Sequence, residues 1–232
     1  MNFELTKGKL IGLIGANGIG KSTLLRTLNK SQKSLSGNII INNQQLNTIP
    51  TLTLATQLSV VLTETISDTN LTVLEIVTLG RQPYTNWIGS LTQEDKEKVS
   101  YALKVVNIEN LAAKKCFELS DGQLQKVMLA RALAQDTDII ILDEPTTHLD
   151  LYHKVYILKL LQRLAKETQK TILFSTHEIN VALSLCDELI VMKKEHTHFG
   201  TPKDLVEINA FDSLFPNDLV EFNSSTNSFS IK

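Results

Sequence analysis

The 232-residue chain has only two cysteines, Cys116 and Cys186, far apart and in no C-x-x-C pair. A disulfide framework or a cysteine-rich metal site is therefore not expected, and the two read as reduced core thiols of a cytosolic protein. No apolar run approaches the roughly 18 residues of a membrane span. The opening MNFELTKGKLIG lacks the charged-then-apolar layout of a secretory signal. A basic excess is missing too: 23 Lys+Arg stand against 25 Asp+Glu, a net charge of −2, so nucleic acid is not an expected partner. There is no low-complexity stretch, long linker or repeat. With 42% hydrophobic residues, the length suits one large domain or one domain with an insertion.

Short apolar runs alternate with longer helical patterns, which predicts an α/β fold with a mainly parallel sheet covered by helices. Strands are expected at Leu10–Ile14, Asn38–Asn42, Ser59–Leu62, Ile139–Leu142, Thr171–Ser175 and Glu188–Met192. Helices are expected at Lys21–Leu28 and Leu151–Lys166. The unalternating run Ile139–Leu142 has the character of a central parallel strand. Between about Thr65 and Gln135 strand-like runs vanish and helical patterns take over (Thr72–Gly80, Thr92–Val106, Gly122–Ala134). Residues 65–135 thus read as a helical insertion into a core made of 1–64 and 136–200. From Thr201 a short helix and a polar tail form an extension, 201–232, with little chemistry in it.

The segment GANGIGKST, Gly15–Thr23, fits G-x-x-x-x-G-K-[ST] and stands between an expected strand and an expected helix. Glycines let successive N–H groups turn toward phosphate oxygens, and the helix N-terminus adds the positive end of a dipole. Gly15, Asn17, Gly18, Gly20, Lys21, Ser22 and Thr23 are thus the expected ATP-binding residues. Lys21 would reach the β- and γ-phosphates and Ser22 would ligate Mg²⁺. Ile139–Leu142 ends in Asp143-Glu144-Pro145-Thr146. Asp143 is assigned to the metal, through water, and Glu144 to polarising the attacking water, a role that contributes about 10²–10⁴-fold.

At LSDGQ, Leu119–Gln123, the chain resembles the ABC ATPases, whose signature is written LSGGQ. The following KVMLARALAQDTDIIILDEPT keeps that family's spacing. Thr146–Asp150 resembles the loop that contacts the other subunit, and His177 in LFSTHEIN resembles the switch histidine. The resemblance covers nearly the whole chain. It implies a P-loop NTPase (RecA-like) fold with an inserted α-helical subdomain, and ATP hydrolysis by a homodimer. Ser120, Gly122 and Gln123 would cradle the partner chain's nucleotide, while His177 would touch the γ-phosphate beside Glu144.

Thr72–Trp87 (TVLEIVTLGRQPYTNW), above all Gly80-Arg81-x-Pro83-Tyr84, is similar to importer cassettes for iron-siderophore, haem and vitamin B12. TPKDL, Thr201–Leu205, also suits them. The implied partners are membrane permease subunits and, indirectly, an extracytoplasmic substrate-binding protein, with the chain peripheral at the cytoplasmic face of the membrane. Tyr84 and Trp87 either line the permease groove or form core of the insertion. The alternatives in function are a soluble non-transport ABC ATPase or a non-catalytic cassette. Three departures from the family stand out. Asp121 replaces a glycine of the signature, with its carboxylate expected to point away from phosphate. Glu64 stands where a glutamine near Mg²⁺ is usual and is retained as a metal ligand. Only about fourteen residues precede Gly15, with Phe3 the sole aromatic among them. Either the start is misplaced, with the family's two opening strands and adenine-stacking aromatic expected in a longer form beginning upstream, or the chain is truncated and lacks them.

Overall fold

The computed structural model describes residues 1–62, 70–147, 149–212, 214–215, 220–223, 226 and 228–231. In chain order the elements are β1 (Leu10–Gly15), α1 (Lys21–Leu28), β2 (Ile40–Ile41), β3 (Gln44–Gln45), α2 (Thr51–Ala55), β4 (Leu58–Val61), α3 (Val73–Thr78) and α4 (Gln93–Val105). They continue with α5 (Asp121–Ala134), β5 (Ile139–Leu142), α6 (Leu151–Thr168), β6 (Thr171–Ser175), α7 (Ile179–Leu185), β7 (Glu188–Met192), β8 (Thr197–Gly200), α8 (Pro202–Glu207), β9 (Val220–Asn223) and β10 (Ser228–Ile231).

Six strands form the main sheet in the order β4-β5-β6-β1-β7-β8. All neighbours are parallel except β7 and β8. Both faces are buried, which is why the strands read as unbroken apolar runs. Successive residues alternate between two cores. Leu10, Ile140, Leu142, Ile172, Phe174, Leu189 and Val191 join the core that also holds residues of α5, α6 and α7. Ile11, Leu13, Ile141, Leu173 and Ile190 join a second core with Leu25 of α1 and with Ile41, Leu46, Ile49 and Leu54. Phe3 belongs to the edge of this second core and meets Phe199 of β8 at a ring-centroid distance of 5.9 Å.

The α/β architecture and every expected central strand are present, with Ser59–Leu62 displaced by one residue to Leu58–Val61. The expected strand Asn38–Asn42 shrinks to Ile40–Ile41. It pairs only with Gln44–Gln45 among the described residues, around a turn where Asn42 and Asn43 take positive φ. α3 and α4 pack on α5, each started by a capping box, Thr72 with Glu75 and Thr92 with Asp95. Such reciprocal bonds satisfy two of the orphan N–H groups at a helix start.

The tail is the largest correction. β9 and β10 form an antiparallel hairpin whose Phe222 and Phe229 pack with Phe211 and Phe215. Phe211 is 1% exposed. Aromatics spaced among Ser, Asn and Asp gave no continuous apolar run, so composition hid the cluster.

Candidate functional site

The C-terminal ends of β1, β5 and β6 meet at one edge of the sheet, where ligands of open α/β sheets bind. The loop after β1 turns with Gly18 at φ +74° and Gly20 at φ +107°, a region that favours glycine. Gly20 caps α1, so Lys21 and Ser22 occupy its first turn. The Lys21 ammonium donates to the Gly15 carbonyl at 2.9 Å and to the Ala16 carbonyl at 3.4 Å. Lys21 is only 5% exposed. Burial pushes its pKa down, against the pull of Glu144 and Asp143. A phosphate would give this ammonium a charge-assisted partner in place of neutral carbonyls. Asn17, Gly18 and Thr23 are exposed around the same loop.

β6 lies between β1 and β5, and its last residue ties the two loops together. The Ser175 hydroxyl donates to Asp143 Oδ1 at 2.6 Å and accepts the Glu144 N–H at 2.9 Å. The Ser22 hydroxyl donates to the same Asp143 oxygen at 3.2 Å. Sequence reasoning missed Ser175. Its only signal was its place just ahead of Thr176-His177 at the end of an apolar strand.

Glu144 takes φ +51°, uncommon for a residue with a side chain and of the kind found at functional sites. Its Oε1 lies 2.5 Å from His177 Nε2, and its Oε2 accepts the Thr147 hydroxyl at 3.2 Å. A cavity of about 30 Å³ opens here, lined by Glu144, Thr146, Thr147, Thr176, His177 and Glu178. That volume holds about one water molecule, against a carboxylate that can polarise it.

Ser120, Gly122 and Gln123 lie at the start of α5. Ser120 and Gln123 close a capping box: the hydroxyl accepts the Gln123 N–H at 3.4 Å, and Gln123 Oε1 accepts the Ser120 N–H at 3.1 Å. The hydroxyl proton is not used by these bonds, so Ser120 keeps a donor for an anion. Asp121 is exposed in the first helical turn, where a carboxylate suits the helix dipole. Glu64 and His148 lie outside the described residues.

A larger cleft of about 240 Å³ lies elsewhere, lined by Arg81, Tyr84, Thr92, Glu94, Asp95 and Asp136. Its Arg81 and Asp95 are paired with each other, and Asp136 is paired with Lys98 and Lys170. Tyr84 lies over the Arg81 guanidinium, 4.0 Å from ring centroid to Cζ. Trp87 is 93% exposed and so is not core of the helical segment.

The family described as ABC transporter matches residues 1–147. The chain belongs to the ABC transporter family. It is 36% identical over 216 residues to a siderophore transport system ATP-binding protein of Bacillus subtilis, covering 93% of this chain and 78% of that one. Its fold matches a metal-chelate type ABC transporter in an inward-facing conformation with a TM-score of 0.82 at 29% identity, over 99% of this chain and 87% of that one. A dimeric cassette bound to ADP and Pi in a post-hydrolysis state matches at TM-score 0.72 and 31% identity, over 85% and 88% of the two chains. The family membership makes this chain a transport-coupled ATPase.

Proposed function

We propose that this chain is the ATP-hydrolysing subunit of an importer for an iron-siderophore, haem or cobalamin-type substrate. The Bacillus relative bears the name of a siderophore transport system, and a structural relative that of a metal-chelate transporter, which supports the siderophore-like class. The observation that carries the catalytic part is that Glu144 and His177 meet at one water-sized cavity while the neighbouring Asp143 meets Ser22 of the loop that also carries Lys21.

The role of each residue follows from its position. Lys21 neutralises charge on the β- and γ-phosphates, helped by the backbone of Gly15–Thr23. Ser22 and Asp143 bring two hard oxygen donors together, which fits Mg²⁺, with Glu64 as a further ligand. The ion supplies charge neutralisation on the phosphate oxygens. Glu144 takes a proton from the attacking water, and His177 on its Oε1 fixes the carboxylate and reaches toward the γ-phosphate. Ser120, Gly122 and Gln123 close the partner chain's site in a homodimer. The core 1–64 with 136–200 holds the nucleotide, the helical segment 65–135 carries the signature, and 201–232 is an appended extension. Permease subunits hold the dimer at the cytoplasmic face of the membrane, below an extracytoplasmic substrate-binding protein.

The test is Glu144→Gln. ATP binding is retained, turnover stops, and an ATP-bound dimer accumulates because release follows hydrolysis. Retention of most wild-type turnover removes Glu144 from the role. Loss of siderophore uptake in cells carrying this variant, set against uptake of unrelated substrates, tests the importer reading.

A further inference from the structure

His177 sits in a short connection between β6 and α7, and it is 44% exposed on its side chain. Packing alone does not hold such a ring in place, yet its Nε2 meets Glu144 Oε1 at 2.5 Å. The next residue, Glu178, has its N–H bound to Thr176 Oγ1 at 3.0 Å, and its side chain lines the same water-sized cavity as Glu144 and His177. Its carboxylate is taken by Lys154, Nζ to Oε1 2.5 Å. Lys154 stands in the first turns of α6, directly after the loop 146–150, and Asp150 caps that helix by accepting the His153 N–H at 2.8 Å.

We propose that Lys154 is a positioning residue for ATP hydrolysis: by holding Glu178 it fixes the His177 loop so that the imidazole stays on Glu144. This rests on the reading of Glu144 and His177 given above. The ion pair ties the residue after His177 to a long, well-packed helix. α7 itself is held independently at both ends. Asn180 exchanges hydrogen bonds with the Phe229 backbone at 2.8 and 3.1 Å, and Gln162 donates to the Leu185 carbonyl at 2.7 Å. Removing Lys154 therefore frees the Glu178 carboxylate and the short connection ahead of α7 without releasing the helix.

The experiment uses the full chain with Mg-ATP and compares Lys154→Met, which keeps the aliphatic stem, with Lys154→Arg, which keeps the charge. In Lys154→Met kcat falls about tenfold, the scale of a sub-ångström misplacement of a catalytic group. KM for ATP and the melting temperature stay at wild-type values, and Lys154→Arg recovers at least half of kcat. A wild-type kcat in Lys154→Met overturns the proposal. So does a loss that moves with melting temperature and that arginine does not restore. The ¹⁵N resonance of His177 Nε2 gives an independent readout. It shifts in Lys154→Met and not in Lys154→Arg if positioning holds, and it is unmoved in both if the proposal is wrong. Glu144→Gln run in parallel separates the two ideas. Turnover retained there defeats the assigned role of Glu144, while the His177 resonance still decides the role of Lys154.

Discussion

Arg81→Met is expected to be among the most destabilising single changes in the helical part of the chain. Arg81 and Asp95 are 4% and 2% exposed. The guanidinium donates through Nε to Asp95 Oδ1 at 2.8 Å and through one terminal nitrogen to the Ala134 carbonyl at 2.9 Å, so it joins the start of α4 to the end of α5. Gly80 beside it lets the backbones close: a Cβ there would stand 2.3 Å from the Arg131 carbonyl oxygen. Methionine fills the stem volume but leaves the Asp95 carboxylate buried with only its bonds from the Thr92 N–H and hydroxyl at 2.8 and 2.7 Å. Breaking a buried pair from one side costs about 3–5 kcal/mol, and the two Thr92 bonds place this case near the lower end. Urea denaturation reads the loss as a lower midpoint at unchanged slope. Replacing both partners, as Arg81→Met with Asp95→Leu, recovers most of it, since no charge remains buried. The pH dependence has a definite sign. Burial raises the Asp95 carboxyl, but Thr92 and Arg81 together hold it below its ordinary 3.8. Its stabilising contribution is thus complete above that value and is lost as pH falls through the lower, folded one. A cost under about 1 kcal/mol, the range of exposed pairs, or a double variant no better than the single, refutes the reasoning.

Lys21→Ala removes a charged hydrogen-bond donor worth about 1.5–3 kcal/mol, so ATP affinity measured by titration falls roughly 10–100-fold, and unchanged affinity contradicts the loop assignment. Ser120→Arg combined with Lys21→Ala tests action across the dimer. Both changes on one chain damage both composite sites, whereas one on each chain leaves one site whole, so equal loss in the two arrangements counts against it. Phe211→Ala empties the middle of the aromatic cluster and costs about 3–5 kcal/mol by analogy with other buried phenylalanines. A melting temperature equal to wild type would mean that the hairpin contributes nothing to the fold.

The central strands were legible because each is buried on both faces and therefore apolar throughout. Ile139–Leu142, Thr171–Ser175 and Glu188–Met192 have the same bounds in sequence and structure. Helix α1 was equally plain, since a glycine-rich turn must end where Lys21 begins. Reading failed where stability comes from contacts distant in sequence. Ile40–Ile41 is short because the turn at Asn42 and Asn43 returns the chain at once. β8 escaped notice because all four of its residues are only partly buried, so no periodic signal marks it. Gly80-Arg81 drew attention as a family resemblance, but its physical content is a close backbone crossing and a buried ion pair that no local pattern encodes.

The site shows the same division. Lys21, Ser22, Asp143, Glu144 and His177 could be named from motifs, yet motifs do not say how three separate loops are brought into register. Strand order supplies that. With β6 between β1 and β5, the residue closing β6 stands within reach of both neighbouring loops, and a small hydroxyl there can donate to one group and accept from another. Ser175 does this. It donates to the Asp143 oxygen that also receives Ser22, and it accepts the N–H of Glu144. The second bond falls on the residue whose backbone lies at φ +51°, a conformation costing about 1–3 kcal/mol that persists only where surroundings enforce it. A charge-assisted bond at Asp143 and a backbone bond at Glu144 are of the size needed to offset that cost. The left-handed turn in turn directs the Glu144 carboxylate to His177 and Thr147 rather than back along β5. Ser175 thus fixes the geometry of the proposed catalytic residues, although its chemistry is only that of a hydrogen bond.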